Sequence, residues 1–251
     1  MRRQHDHRNQ GIFVAEGEKV VRRLLESNFS VISVLLPEKW LVELELLLRN
    51  RPEHIDVFVA EKKLLETLTG FSMYQGLLAV GKIPTQPSLQ EVISRNPRPC
   101  LLVAVDALSS AENIGALVRN CVAFGVHALI VGETSSSPFL RRAVRSSMGT
   151  IFQLPIVESQ NLVGTLHELR SRGVHCVAAH PHVNGRTVTQ AKLDSDCCIV
   201  FGSEGYGISQ PVLAGCNEAA AIRMSPSVDS LNVSNAAAVF LYETNRQRGK
   251  M

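Results

Sequence analysis

Three short stretches gather residue types that do chemistry. Asn113 and Arg119 stand six residues apart in NIGALVRN, GSEGYG places Glu204 among three glycines, and SPSVDSLNVSN sets Ser230, Asn232, Ser234 and Asn235 ahead of an apolar run. Carboxamides and hydroxyls orient a bound group by donating and accepting hydrogen bonds. A guanidinium grips phosphate or stabilises developing negative charge, and closely spaced glycines let a backbone turn sharply or approach a ligand. Each stretch also has a plainer reading. Asn113 could cap a helix while Arg119 sits in solvent, GSEGYG could be a tight turn, and one of the four polar residues from Ser230 to Asn235 could be an N-cap. A cap needs one such residue, however, and the surplus fits a ligand held by Ser230, Asn232 and the backbone around Leu231 over the glycine turn. The glycines are not spaced as G-x-G-x-x-G and no G-K-[ST] follows them, so neither a dinucleotide fingerprint nor a phosphate cradle is present.

The elements that must position these stretches follow from periodicity. GEKVVRRLLESN reads as an amphipathic helix and SVISVLL as a buried strand; KWLVELELLLRN with HIDVFVA, and EKKLLETLTG with QGLLAVGKI, repeat the alternation. Residues 1–82 are therefore expected to form a small α/β domain. The stretch 83–99, punctuated by Pro84, Pro87, Pro97 and Pro99 around a short possible helix, reads as a linker. From residue 100 to 251, CLLVAVDAL, VHALIVG, IFQLPIV, VHCVAAH and CCIVFG alternate with helical stretches and predict an α/β domain with a mostly parallel sheet covered on both faces. Parallel sheets bind ligands beyond the carboxyl ends of their strands. The three polar stretches follow LLVAVD, CCIVFG and AAAIRM, which places them all there.

Composition narrows the class. The chain has 251 residues, is 45% hydrophobic and carries a net charge of +3, which excludes extensive disorder and permits a nucleic-acid partner. Six cysteines without a C-x-x-C pair read as buried thiols of a reducing compartment. His175, His180 and His182 lack metal-ligand spacing, so no metal is expected. No apolar run is long enough to span a membrane and MRRQHDHRNQ leads into no signal core, which makes a cytoplasmic location the default. Arg141, Arg142 and Arg145 share one helical stretch and either neutralise RNA phosphates or form a solvated basic face. Arg22, Arg23, Lys62 and Lys63 read as solvated helix charges, and Trp40 and Tyr74 as packing residues.

Taken together, NIGALVRN, IVFGSEGYGIS and IRMSPSVDSLNVSNAAAVFLYE resemble, in order and spacing, the three motifs of the SpoU (TrmH-type) branch of the SPOUT superfamily, the knotted RNA ribose 2′-O-methyltransferases. Residues 100–246 carry the resemblance, and 11–82 resemble the small ribosomal-protein-like substrate-binding domain often fused in front. The resemblance implies a C-terminal trefoil knot, S-adenosyl-L-methionine as cofactor, and a homodimer formed through the C-terminal domain whose interface completes the site. It places Gly202, Ile222 and Leu231, with Ser203, Gly205 and Met224 beside them, at the cofactor, and Asn113, Arg119, Glu204, Ser230 and Asn232 in the active site. Arg119 would be base or electrostatic clamp, the permanent charge of guanidinium making the first role uneasy. The substrate implied is ribosomal or transfer RNA, with ribosomal RNA ahead. The alternative is an RNA-binding protein that keeps the knotted fold without catalysis.

Overall fold

Runs in which every residue is apolar become strands buried on both faces. A computed structural model describes residues 10–69, 76–181 and 186–250; Tyr74, His182 and the N-terminal nine residues lie outside them. The chain divides into two compact units, one running to Thr85 with Pro138–Gln153 added, the other comprising Gln86–Ser137 and Leu154–Met251.

The first unit holds β1 (Ile12–Glu16), α1 (Glu18–Leu25), β2 (Val31–Leu36), α2 (Glu38–Arg49), β3 (Asp56–Val59), α3 (Lys62–Thr69) and β4 (Leu78–Lys82). Its four strands lie in the order β1-β4-β2-β3, with β4 antiparallel to both neighbours and β3 parallel to β2. Strand β1 was not expected, because its five residues, IFVAE, are too short to show a period ahead of the helix. The unit also takes in α6 (Arg141–Ser146) and a 3-10 turn, Thr150–Gln153, which the sequence reading assigned to 100–251. Apolar contact explains this: Phe13 lies 5.8 Å from Phe139 and 5.5 Å from Phe152 between ring centroids, and Phe29 lies 5.3 Å from Phe152. Arg23 donates to the Met148 carbonyl at 2.8 Å.

Charge holds the same segment. Glu16, a buried carboxylate on β1, faces Arg141 at 3.5 Å and Arg145 at 3.3 Å. The Arg141 contact lies outside hydrogen-bond geometry, so the buried Oε2 of Glu16 is held by charge alone. Two of the three arginines read as an RNA-facing set are thus ion-paired to a buried acid, while Arg142 and Arg145 are both exposed.

The second unit contains α4 (Leu89–Arg95), β5 (Leu101–Val105), α5 (Ala111–Ala123), β6 (Ala128–Val131), β7 (Ile156–Glu158), α7 (Leu162–Ser171), β8 (His175–Ala179), β9 (Cys197–Phe201), α8 (Gln210–Gly215), β10 (Glu218–Ala220) and α9 (Val233–Gln247). All six strands are parallel, in the order β10-β8-β9-β5-β6-β7. Leu89, Val92, Leu166, Leu169 and Val212 of α4, α7 and α8 cover one face, packed on Leu102, Ala104, Cys176, Cys198 and Val200. Helices α5 and α9 lie together with Phe240 edge-on to Phe201, ring centroids 5.8 Å apart. Each such Leu, Val or Phe contributes about 1.5–3 kcal/mol on burial.

The stretch 83–99 is more than a linker. Ser88 and Glu91 form a reciprocal capping box that starts α4, whose Leu89, Val92 and Ile93 are buried in the second unit's core. All six cysteines are free thiols, and burial pushes Cys197 and Cys216 up to about 12. Among the described residues no helix is long and apolar enough to cross a membrane, and no cluster of three or more His, Cys, Asp or Glu is placed to hold a metal ion.

Candidate active site

From β5 the chain builds β6 and β7 on one side, then returns to place β9 against the other edge of β5. Strand order therefore reverses between β5 and β9, and a crevice beyond their carboxyl ends is the place for a ligand. A cavity of about 410 Å³ lies on the β9 side of that reversal, lined by the exits of β8, β9 and β10 and by the start of α9. That volume is within the range of small-molecule clefts, about 300–1,000 Å³.

Its floor is the glycine turn. Ser203 and Gly207 exchange backbone hydrogen bonds at 2.9 and 3.0 Å, and Gly207 turns the chain at φ +68°. The return strand of this hairpin crosses directly over Gly202. A Cβ built there would lie 2.1 Å from the Gly207 carbonyl carbon and 2.3 Å from Ile208 N, so no side chain fits. The glycine is required by the chain's own backbone. Asp106, buried at the exit of β5, closes the far end of the turn by accepting from Ser209 N at 2.7 Å, and its own amide donates to Phe201 at 2.9 Å.

A chain of side-chain amides ties the three polar stretches together. Asn232 is the N-cap of α9: its Oδ1 accepts from Ser234 N at 2.9 Å and from Ser234 Oγ at 2.6 Å. With its oxygen so engaged, Asn232 Nδ2 donates to Asn113 Oδ1 at 3.0 Å, and Asn113 Nδ2 in turn donates to Glu204 Oε1. Each amide is oriented by the one before it, from the first turn of α9 to the carboxylate on the glycine turn. The cap of α5 is Ser110, which accepts from Asn113 N at 3.3 Å, and this leaves the Asn113 side chain free for the network. Asn120 Nδ2 adds a tie to the Ser234 carbonyl at 2.6 Å.

Gly202, Ser203, Glu204, Gly205, Ile222, Met224, Ser230 and Leu231 all line the cavity. Asn113 and Asn232 reach it through Glu204. Arg119 does not line it: it is exposed on α5 and makes no hydrogen bond or ion pair with the described residues. Arg141, Arg142 and Arg145 belong to the first unit.

Sequence reasoning missed Asp106, Asp229, Tyr206, Phe240 and the exit of β8, where Ala179, His180 and Pro181 line the cavity. VHCVAAH showed a strand, but its polar end was weighed only as a metal question. A fourth strand exit was the available signal. Glu204 and Asp229 are the acidic residues on the lining, which includes no lysine or arginine. Such a lining favours a cationic ligand over a phosphate-bearing one.

The description "SpoU rRNA Methylase family" belongs to the family model that matches residues 100–242. A Mycobacterium avium (strain 104) protein called "Uncharacterized tRNA/rRNA methyltransferase" is 36% identical over 189 residues, 73% of this chain, and the match spans 60% of that relative's length. The crystal structure of the SpoU methyltransferase AviRb from Streptomyces viridochromogenes superposes with a TM-score of 0.83 at 26% identity, covering 98% of this chain and 93% of that one. AviRb in complex with the cofactor AdoMet gives the same TM-score at 25% identity, over 97% and 93%. A crystal structure of an RNA 2′-O ribose methyltransferase matches with a TM-score of 0.78 and 26% identity, over 97% and 92%.

Proposed function

Because this chain belongs to the SpoU rRNA methylase family, we propose that it transfers a methyl group from S-adenosyl-L-methionine to a ribose 2′-hydroxyl of structured RNA, ribosomal RNA ahead of transfer RNA. The observation that carries the reading is the amide chain Asn232–Asn113–Glu204, which joins three separate strand exits beside one cavity.

The lining suits the donor. Apolar Phe201, Ile222, Leu231 and Phe240 offer surface for a nucleoside, and Glu204 and Asp229 offer negative charge for a sulfonium. Bound S-adenosyl-L-methionine would supply an activated methyl group on that cationic sulfur. Transfer would form the O–CH3 bond, break the S–CH3 bond to leave a neutral thioether and release the hydroxyl proton to water, so the chain's part is to hold the hydroxyl in line and to stabilise the charge that develops on its oxygen. Asn113 and Asn232 are oriented for the first task. Arg119, a permanent cation with no partner among the described residues, suits the second. We assign it to the site of a second copy, as phosphate clamp or electrostatic stabiliser across a homodimer formed by the C-terminal unit. We further assign the carboxyl-end cavity to a trefoil knot. In support, the segment after β10 bridges Ala221 to Thr187, while Gln247 of α9 holds Leu193 N and the Ala191 carbonyl at 3.1 and 3.2 Å. The first unit is assigned to RNA selection, with Arg142 and Arg145 its exposed basic residues on α6.

Transfer of labelled methyl to unmodified ribosomal and transfer RNA transcripts tests this. A 2′-O-methyl group protects the adjacent phosphodiester from alkali, so the expected result is one alkali-resistant linkage, absent with Arg119→Ala. No incorporation, or label on a base with every linkage still labile, overturns the reading.

A further inference from the structure

Among the large apolar side chains left exposed, Tyr206 stands furthest out, at 98%. It occupies the tip of the glycine turn, and it lines the cavity. Its exposure is not slack in the chain. Tyr206 N donates to Ser203 Oγ at 3.2 Å inside a hairpin closed by the Ser203–Gly207 pair, and that hairpin is seated on Gly202. The backbone is thus fixed while the ring is carried into water. An aromatic ring held this way has both faces available for a flat partner.

The surroundings tell which partner. Ser203, Glu204, Gly205 and Gly207 flank the ring, and Leu231 is the other exposed large apolar residue on the lining. Two such side chains among small and polar neighbours fall well short of the contiguous apolar area that marks a protein docking face. A single ring in a polar, hydrogen-bonding setting is what base stacking uses, since every base has a π-face and unpaired bases stack on aromatic side chains.

Resting on the RNA methyltransferase reading above, we propose that Tyr206 is the stacking platform for an unpaired base of the substrate RNA, at or next to the nucleotide whose ribose is methylated. It is a binding residue for the RNA and takes no part in the transfer step.

The test compares Tyr206→Ala and Tyr206→Phe with the unaltered chain on the ribosomal and transfer RNA transcripts. A stacked base contributes enough that Tyr206→Ala should raise the KM for RNA by about 5- to 150-fold. Both kcat and affinity for S-adenosyl-L-methionine, measured by calorimetry, should change far less, and Tyr206→Phe should restore the KM. An unchanged KM overturns the proposal, as does a phenylalanine variant as weak as the alanine one, which would assign the effect to the hydroxyl. Conversion of the alanine variant to a smaller species in sedimentation would make the ring a subunit contact instead. If the unaltered chain neither binds S-adenosyl-L-methionine nor methylates either transcript, the functional reading fails and takes this inference with it.

Discussion

The two ends of the six-stranded sheet are finished in opposite ways. At the amino ends, side chains are folded over the backbone. Arg248 donates to the carbonyls of Leu193 at 3.0 Å, Pro99 at 3.0 Å, Cys100 at 3.1 Å and Ser195 at 2.6 Å. Asp196 accepts from Cys100 N at 2.6 Å while paired with Arg98, and His127 Nδ1 accepts from Leu101 N at 2.9 Å. Buried backbone groups at a sheet end must find partners, and here charged side chains from elsewhere in the unit supply them. At the carboxyl ends such work falls to Asp106, which accepts from Ser209 N, and to Ser135, whose Oγ donates to the Val105 carbonyl at 3.2 Å and accepts from Leu108 N at 3.2 Å. The other polar groups, half-buried Asn113 and exposed Asn232 and Glu204, bond to one another. One end is sealed for stability; the other is left open around prepared hydrogen bonds, at a cost that a ligand can offset.

Substitutions at the two ends should separate these roles. Gly202→Val is expected to have the largest effect, because its side chain cannot coexist with Gly207 at 2.1 Å and the hairpin must open. Calorimetry should show affinity for S-adenosyl-L-methionine lost by more than about 100-fold, roughly 3 kcal/mol. Full affinity would mean that the glycine turn is not the cavity's floor. At the sealed end, Arg248→Ala strands four carbonyls and should destabilise by about 3 kcal/mol, lowering the Tm by about 6–12 °C. Cofactor affinity should survive below that lowered Tm. Equal loss of both would erase the distinction between the ends.

Asn113→Ala breaks the amide chain without opening a core. Turnover should fall about 10- to 100-fold, a shift of about 1.4–2.7 kcal/mol in the barrier. Thermal stability should change by less than about 1 kcal/mol, as an exposed hydrogen bond implies. A stability loss matching that of Arg248→Ala would make Asn113 a structural residue.

The smallest effect concerns pH. Burial holds the His127 ring below its ordinary pKa. The unfolded chain therefore takes up a proton below about pH 6.5 while the folded ring resists. Protons bound in the unfolded state then exceed those in the native state, so stability falls as the pH drops from there toward the ring's folded pKa. Urea midpoints at pH 7.5 and 5.5 should differ, and His127→Asn should shrink the difference. An unchanged difference would show that other groups carry the pH dependence.

Long apolar runs made much of the second unit legible. LLVAV and CCIVF announced strands buried on both faces, and the polar residues after them marked the ligand end. Short elements were less legible: α8 has six residues, too few for a period to declare itself, and the strand read in AAAIRM ends at Ala220, so that Ile222 and Met224 lie beyond it. Side-chain partnerships across the chain were also hidden. Nothing local in LRRAVRSS says that Arg141 and Arg145 face Glu16, because that pairing spans more than 120 residues of sequence. The same holds for Asn113 and Asn232, whose types were noticed although a separation of 119 positions concealed the bond. Tyr206 was passed over because the glycines around it drew the reading toward backbone conformation.

The excursion of Pro138–Gln153 into the first unit bears on any attempt to dissect the molecule. The polypeptide passes from one unit to the other after Thr85, after Ser137 and after Gln153, so a protease nick between Ile83 and Pro99 severs one covalent tie and leaves two. A deletion ending at residue 82 would strip Phe139 and Phe152 of Phe13, and Arg141 and Arg145 of Glu16. Sticky aromatic rings and orphaned cations would then imitate a change in RNA affinity. A clean excision joins Ser137 directly to Leu154.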